Sequence, residues 1–241
     1  MLLRFLSSVL LLSVAGCAGK SENAPAARSA DAATVQPAAA APGEAAPLAD
    51  SSAALLAKAD AGRILGSPAA TTWMIVISDF QCPFCKSWHD ESWEAIRKEF
   101  VDSGKIRVAY VNLPLPMHAN AVPAAEAAMC ASVQGKFWPM QDALFRTQKS
   151  WADLADPLPF FEGLAREAGA DVDTLRACVK SSATRPLIQG DEERASRAGA
   201  QSTPTFFVGN QPLIGAQPLA TFRGAIQAAL ATKPAPTPAG K

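Results

Sequence analysis

The chain has 241 residues, 49% hydrophobic and 18% charged, which is the composition of a soluble globular domain and fits one medium-sized domain with extensions. Its 22 basic and 22 acidic side chains cancel, so no net field draws in a polyanion and nucleic acid is not expected as a partner.

The chain opens MLLRFLSSVLLLSVAGC, with Arg4 in a short n-region, an apolar run from Leu6 to Val14, and the small residues Ala15 and Gly16 before Cys17. Such a segment reads as a secretory signal and is too short to span a bilayer. Val14, Ala15, Gly16 and Cys17 resemble the lipobox of bacterial lipoproteins. That resemblance implies removal of residues 1–16 and acylation of Cys17. An ordinary signal peptide cut nearby is the alternative, with Cys17 discarded or left as a stray thiol. Two or three acyl chains hold a protein at a membrane where one is marginal. The expected location is therefore the bacterial cell envelope, periplasm-facing and membrane-anchored through Cys17. Setting Cys17 aside leaves Cys82, Cys85, Cys130 and Cys178, which in an oxidising compartment can pair as two disulfides.

Residues 17–50 are dominated by alanine and proline, as in VQPAAAAPGEAAPLAD, and carry no aromatic residue and no apolar periodicity. They read as a disordered tether, with partial helix as the competing reading of so much alanine. Residues 232–241 read as a disordered tail. Between these extensions, residues 51–231 carry the folded signals. Trp73 to Ser78, WMIVIS, predicts a buried central strand. Phe84, Trp88, Ile96 and Phe100 recur at helical spacing and predict a helix from about Pro83 to Val101. Lys105 to Asn112 alternates as a second strand. A helical block follows over about residues 117–199, including PAAEAAMCASVQ, KFWPMQDALF, PFFEGLAREAG, VDTLRACVKS and DEERASRAG. Strands return at Pro204 to Val208 and Pro212 to Ile214, and a last helix follows Pro218. This order of elements predicts an α/β chain with a thioredoxin-like fold and an inserted helical subdomain.

The most informative stretch is DFQCPFCK, Asp79 to Lys86. It places Cys82 where a strand gives way to a helix, so unsatisfied backbone N–H groups and the positive end of the helix dipole favour its thiolate. Thiolates are the nucleophiles of disulfide exchange, and such a position brings a thiol from about 8.5 down to about 3.5 to 7.5. Cys82 is the expected attacking sulfur and Cys85, one turn into the helix, the resolving one. Pro83 suits the first turn because its missing N–H costs nothing there. A plain structural disulfide is the bland alternative, although so short a loop gains little from chain entropy. Structural zinc needs four ligands, and this is the single CxxC, with His89 four residues beyond Cys85. Copper(I) is a further alternative, held by two thiolates with help from Met117 or His118.

Ser202 to Gly209 reads STPTFFVG. A cis bond before Pro204 would turn the Thr203 backbone outward beside Cys82, where its N–H and C=O could pair with an extended substrate; a trans proline opening a strand is the alternative.

Taken together, DFQCPFC, the run AAEAAMCASVQGKFW from Ala124, the spacing to Leu175, Arg176, Ala177 and Cys178, and STPTFFVG followed by GAQPLATF resemble the DsbA-like thiol:disulfide oxidoreductases, in their branch with a helical insertion. The resemblance covers about Gly66 to Leu230. It implies a redox-active pair at Cys82 and Cys85, a cis-proline substrate-binding loop at Thr203 and Pro204, no diffusible cofactor and no metal. It also implies a structural disulfide between Cys130 and Cys178, worth about 4 kcal/mol in the chain-entropy model; two buried free thiols are the alternative. Two departures stand out. The strand position where family members often carry a buried acid is Val76 here, so Asp79 is the nearest candidate for a proton relay, or else only a helix cap. Phe84 replaces the histidine found before the second cysteine in the DsbA type member, which points to a weaker oxidant. His89 and His118 are read as surface or helix-start residues, and Phe137, Trp138, Phe145, Trp151, Phe160 and Phe161 as packing between insertion and core.

The expected activity is that of an envelope thiol:disulfide oxidoreductase, a monomer acting as dithiol oxidant on cysteine-containing exported proteins and reoxidised by a membrane redox partner. The rivals are a reductase or isomerase kept reduced by a membrane electron donor, and a copper(I)-binding module on the same fold.

Overall fold

The apolar run around Ile75 forms the centre of a five-stranded sheet. The computed structural model describes residues 46–232, with side chains from residue 51. The signal segment, Cys17 and the tail beyond Thr232 lie outside the described residues. The strands are β1 (Ile64–Leu65), β2 (Thr72–Ser78), β3 (Ile106–Asn112), β4 (Thr205–Val208) and β5 (Gln211–Ile214), in the order β1-β3-β2-β4-β5. β2 runs parallel to β3, with Val76 opposite Tyr110, and antiparallel to β4, with Ile77 opposite Thr205. A hairpin through Gly209, whose φ of 56° is a left-handed conformation that suits glycine, adds β5.

A parallel pair cannot be closed by a tight turn and needs a crossover. That crossover spans residues 83–101, as the spacing of Phe84, Trp88, Ile96 and Phe100 predicts, but it is not uniform. It consists of α2 (Pro83–Trp88), a π-helical turn His89–Trp93, α3 (Glu94–Ile96) and a second π-helical turn Arg97–Val101. The wider turn has a physical use here. Trp88 and Trp93 lie five positions apart, close to one π turn, and both are buried with their rings 5.9 Å apart.

The insertion comprises α4 (Ala121–Val133), α5 (Phe137–Arg146), α6 (Gln148–Trp151), α7 (Leu158–Glu167), α8 (Val172–Lys180) and α9 (Arg185–Arg197); α10 (Leu219–Ala231) closes the fold. The α/β fold with a helical insertion agrees with the order of elements expected from sequence. Phe137 and Phe145 of α5 join the insertion to the sheet side, Phe137 at 5.2 Å from Tyr110 and Phe145 at 5.2 Å from Phe80, ring to ring. α4 is buried along most of its length and built largely of alanine, which lets other backbones approach it closely. One does so at Gly62, where a Cβ would lie 2.7 Å from the Ser132 carbonyl oxygen.

Gly62 ends a helix, α1 (Ala46–Gly62), that corrects the sequence reading. The tether was expected to reach Asp50, yet the backbone is already helical at Ala46. Alanine has the highest helix propensity, and the far end of α1 docks on α4, where Ala59 is fully buried and its carbonyl accepts a hydrogen bond from Ser132 Oγ at 2.6 Å. The two-residue edge strand β1 is also absent from the sequence reading, because two residues carry no periodicity. Behind it, Arg63 is buried in an ion pair with the fully buried Asp191, which also accepts from Asn112 N–H at 3.0 Å and Nδ2 at 2.9 Å, so the end of α1, β3 and α9 meet at one carboxylate. Among the described residues no helix is long and apolar enough to cross a membrane.

Cys130 of α4 and Cys178 of α8 are joined across a separation of 48 residues. Closing a loop of that length restrains the unfolded chain by about 4 kcal/mol. Replacing both cysteines with alanine is expected to lower unfolding stability by roughly 3 to 4 kcal/mol in urea titrations, while leaving the chemistry of Cys82 and Cys85 intact.

Candidate active site

The site grows out of the end of β2. After Ser78 the chain turns, with the Asp79 carbonyl accepting from Cys82 N–H at 3.2 Å and the Asp79 carboxylate accepting from Gln81 N–H at 2.7 Å. Cys82 is then the cap residue of α2, in an extended conformation (φ −68°, ψ 123°), with Pro83 in the first turn. Its carbonyl accepts the first intrahelical bond, from Lys86 N–H at 3.2 Å. The Cys82 sulfur is therefore held over the free N–H groups that begin a helix, the position the sequence assigned to it.

The surroundings separate the two thiols. Cys82 is brought down to about 6, first by a hydrogen bond from the Cys85 thiol, against the opposing effect of burial, and then by Thr203 and by the backbone N–H groups of Cys85 and Phe84. Cys85 is pushed far the other way, first by burial, then by its hydrogen bond to Cys82 and then by the charge on Cys82. Cys82 keeps 3% of its surface and Cys85 none, so an incoming sulfur can touch only Cys82. Both are present as free thiols.

Thr203 arrives from the loop before β4. Its bond to Pro204 is cis, and its carbonyl oxygen lies 3.5 Å from Cys82 Sγ, accepting from the thiol. The Thr203 hydroxyl is buried and has no other partner among the described residues, which leaves it free to rotate toward a thiolate at Cys82.

Val76, where family members often carry an acid, is buried in β2 opposite Tyr110. Tyr110 is fully enclosed and stacks on Phe80 at 5.0 Å; burial first, and the nearby Cys85 second, push its phenol well above the ordinary range and keep it neutral. Asp79 is the acid at hand. Its carboxylate has no exposed surface and accepts three hydrogen bonds, from Gln81 N–H at 2.7 Å, Leu115 N–H at 2.8 Å and His118 Nδ1 at 2.6 Å. Asp79 thus ties the turn that precedes Cys82 rather than capping α2, whose first turn takes no side-chain bond, and its own N–H faces the Cys85 sulfur.

His118 departs from the sequence reading. It does stand just before α4, its carbonyl accepting from Ala121 N–H at 3.1 Å, but its ring reaches back 39 residues to Asp79. No local pattern announces such a contact. The same holds for Gln148 of α6, whose Nε2 donates to the carbonyls of Phe80 at 2.7 Å and Cys82 at 3.0 Å. A lone glutamine in a helical block gives no sequence signal. His89 instead pairs with Asp142 of α5 at 2.9 Å, with its ring 5.0 Å from that of Phe145.

Phe84, between the two cysteines, is 65% exposed, and Met117, next to His118, is 74% exposed. His118 commits Nδ1 to Asp79, and among the described residues no group of three or more His, Cys, Asp or Glu is gathered as a metal site.

Comparison with known proteins agrees with this arrangement. A family model described as thioredoxin matches residues 58–228. The chain is 32% identical over 165 residues to a protein named Na(+)/H(+) antiporter NhaA from Herminiimonas arsenicoxydans, covering 68% of this chain and 25% of that one. It therefore spans about a quarter of the length of that relative. It is also 23% identical over 147 residues to a probable disulfide bond formation protein D from Bacillus anthracis, covering 60% of this chain and 68% of that one. Among solved structures, oxidised BdbD from Bacillus subtilis superposes with a TM-score of 0.62 at 21% identity, covering 70% of this chain and 94% of the other, which establishes the fold.

The separation of the two thiols has a measurable consequence. In the dithiol form, thiolate absorbance is expected to rise with a midpoint near pH 6, well below the about 8.5 of a free cysteine. The folded value is depressed, so the stabilisation is complete above the unfolded value and is lost as pH falls through about 6. The stability of the dithiol form relative to the disulfide form should accordingly decrease between about pH 8.5 and about pH 6 in denaturant titrations of both forms. Cys85 moves in the opposite direction, and its effect falls above that window. A flat difference across the window would contradict the assignment.

Proposed function

We propose, since the chain belongs to the thioredoxin family and carries its DsbA-like fold, that Cys82 and Cys85 are the redox centre of a thiol:disulfide oxidoreductase that oxidises cysteines of exported proteins. The observation that carries this reading is the placement of one partly accessible sulfur, Cys82, at a helix start beside the Thr203 carbonyl, with a fully buried second thiol one turn behind it.

The cycle follows from that geometry. With Cys82 and Cys85 joined, a substrate thiolate attacks Cys82 Sγ, a substrate–Cys82 bond forms, and Cys85 leaves as a thiolate. Burial makes that charge unfavourable, so Cys85 takes up a proton. Val76 leaves no acid in the strand, and Asp79 is the carboxylate we assign to exchange that proton through water. A second substrate thiolate then attacks the substrate sulfur of the mixed disulfide and Cys82 departs as a thiolate. The surroundings stabilise that leaving group, which drives electrons from substrate to protein. Thr203 and Pro204 present backbone to an extended substrate, a mode that tolerates many sequences.

A partner at the membrane reverses the second half. The Cys82 thiolate attacks an acceptor disulfide, and Cys85 gives up its proton and closes the bond to Cys82. The name of the Bacillus anthracis relative, a probable disulfide bond formation protein, supports the oxidising direction. Acylated Cys17, a periplasm-facing location and action as a monomer complete the proposal; Cys17 is outside the described residues.

Replacing Cys82 with serine is expected to reduce exchange with a dithiol peptide to the uncatalysed rate. Replacing Cys85 with serine is expected to accumulate a covalent adduct when a peptide carrying a glutathione mixed disulfide is supplied: the Cys82 thiolate attacks the peptide sulfur, glutathione leaves as a thiolate, and no second thiol resolves the product, which is visible by mass spectrometry. Activity retained by the Cys82 variant would remove that residue from the role of nucleophile.

A further inference from the structure

The Asp79 carboxylate is completely buried, three residues before Cys82, and a buried charge needs full hydrogen bonding to be tolerated. Two of its three donors are backbone N–H groups, from Gln81 and Leu115. The third is the Nδ1 of His118, at 2.6 Å, and it is the one side-chain donor in the set. The same segment is fastened to the turn a second time: Gln81 Oε1 accepts from Asn120 N–H at 2.6 Å, and Gln81 Nε2 donates to the Ala152 carbonyl at 2.9 Å. Residues 113–120 and the turn at residues 79–82 are therefore tied together through Leu115, His118 and Asn120.

We propose that His118 is a positioning residue for the exchange reaction: by donating from Nδ1 to the buried Asp79 carboxylate, it fixes the turn that sets the Cys82 sulfur at the start of α2. The inference rests on the exchange reading above and deepens it. The path of action is short. Asp79 holds Gln81 N–H with its carboxylate and Cys82 N–H with its carbonyl, so the orientation of Asp79 determines how the chain enters Cys82. Without the His118 donor, Asp79 Oδ2 keeps only Leu115 N–H. A buried carboxylate short of a donor turns toward water to replace the lost bond, and the hold on Gln81 and Cys82 then loosens. The Cys82 sulfur then leaves its optimum beside the Cys85 and Phe84 N–H groups and the Thr203 hydroxyl. His118 itself is within reach of solvent, with 17% of its side chain exposed, and its second ring nitrogen makes no hydrogen bond among the described residues.

Two polar substitutions separate this role from a general contribution to folding. In His118→Asn the amide N–H occupies the place of Nδ1 and can still donate to Asp79; in His118→Gln the amide lies farther out, near the place of Nε2, and cannot. The full chain with each substitution is compared with wild type in its rate of oxidising a dithiol peptide at neutral pH and in the thiolate midpoint of Cys82. His118→Gln is expected to slow exchange about tenfold and raise the midpoint by about one pH unit, whereas His118→Asn stays within about threefold in rate with its midpoint unmoved. A His118→Gln variant with wild-type rate and midpoint overturns the inference, whatever its thermal stability, and so do two variants that are equally slow. A wild-type chain that exchanges with no dithiol sinks the exchange reading instead, and the midpoint comparison then decides the role of His118 by itself.

Discussion

Everything in this molecule that bears on chemistry depends on where one sulfur sits relative to the first turn of a helix. β2 and β3 are parallel, so the chain leaving β2 must cross over through a helix before it can return. The crossover starts at the carboxyl end of the central strand, which is where Cys82 is found. A thiolate there replaces the missing partners of the opening N–H groups and meets the favourable end of the helix dipole. β4 pairs antiparallel on the other side of β2, which carries Thr203 to within 3.5 Å of the same sulfur. Fold and reactivity thus share one geometric cause, since the sheet order that buries the apolar strands also brings the two halves of the site together.

Holding that sulfur in place requires the turn at residues 79–82 to be rigid, and polar side chains of the insertion hold it. Gln148 donates to the carbonyls of Phe80 and Cys82, and Asn120 Nδ2 donates to the carbonyls of Trp151, Ala152 and Leu154. Each of these amides is largely buried, so its bonds are strong and their loss would leave carbonyls unsatisfied. The insertion therefore acts as a brace for the redox turn. Its own rigidity comes from the apolar face of α4 and the bridge from Cys130 to Cys178.

What could be foreseen from residues follows from the range over which each signal acts. WMIVIS, the helical spacing of Phe84, Trp88, Ile96 and Phe100, and the hairpin around Gly209 are local patterns, and the structure has strand, helix and hairpin there. Cys82 at a strand-to-helix junction could likewise be placed, because the two cysteines, the proline and the flanking runs lie within a few residues. The contact of His118 with Asp79 spans 39 residues and that of Gln148 with Cys82 spans 66, and neither leaves a trace in periodicity or composition. The π-helical turns were illegible for a related reason, since the demand that Trp88 and Trp93 both face the core comes from partners on other elements, such as Phe206 and Trp138. The helix over Ala46–Gly62 was hidden by its composition, in which alanine suits a tether and a helix equally until α4 supplies a surface to dock on.

The central claim is that these surroundings stabilise the reduced pair enough to make it an electron acceptor for substrate thiols, although Phe84, between the two cysteines, supplies neither a hydrogen bond nor a charge to the thiolate. The equilibrium reduction potential of Cys82 and Cys85 in glutathione buffers tests it most directly. A Cys82 thiol near 6 lies between the values of thioredoxin, about 7, and DsbA, about 3.5. The account therefore predicts a potential above the about −270 mV of thioredoxin and below the about −120 mV of DsbA, in the range where dithiols are oxidised in an oxidising compartment. A value at or below about −270 mV would contradict it, because electrons would then flow from the protein to its substrates.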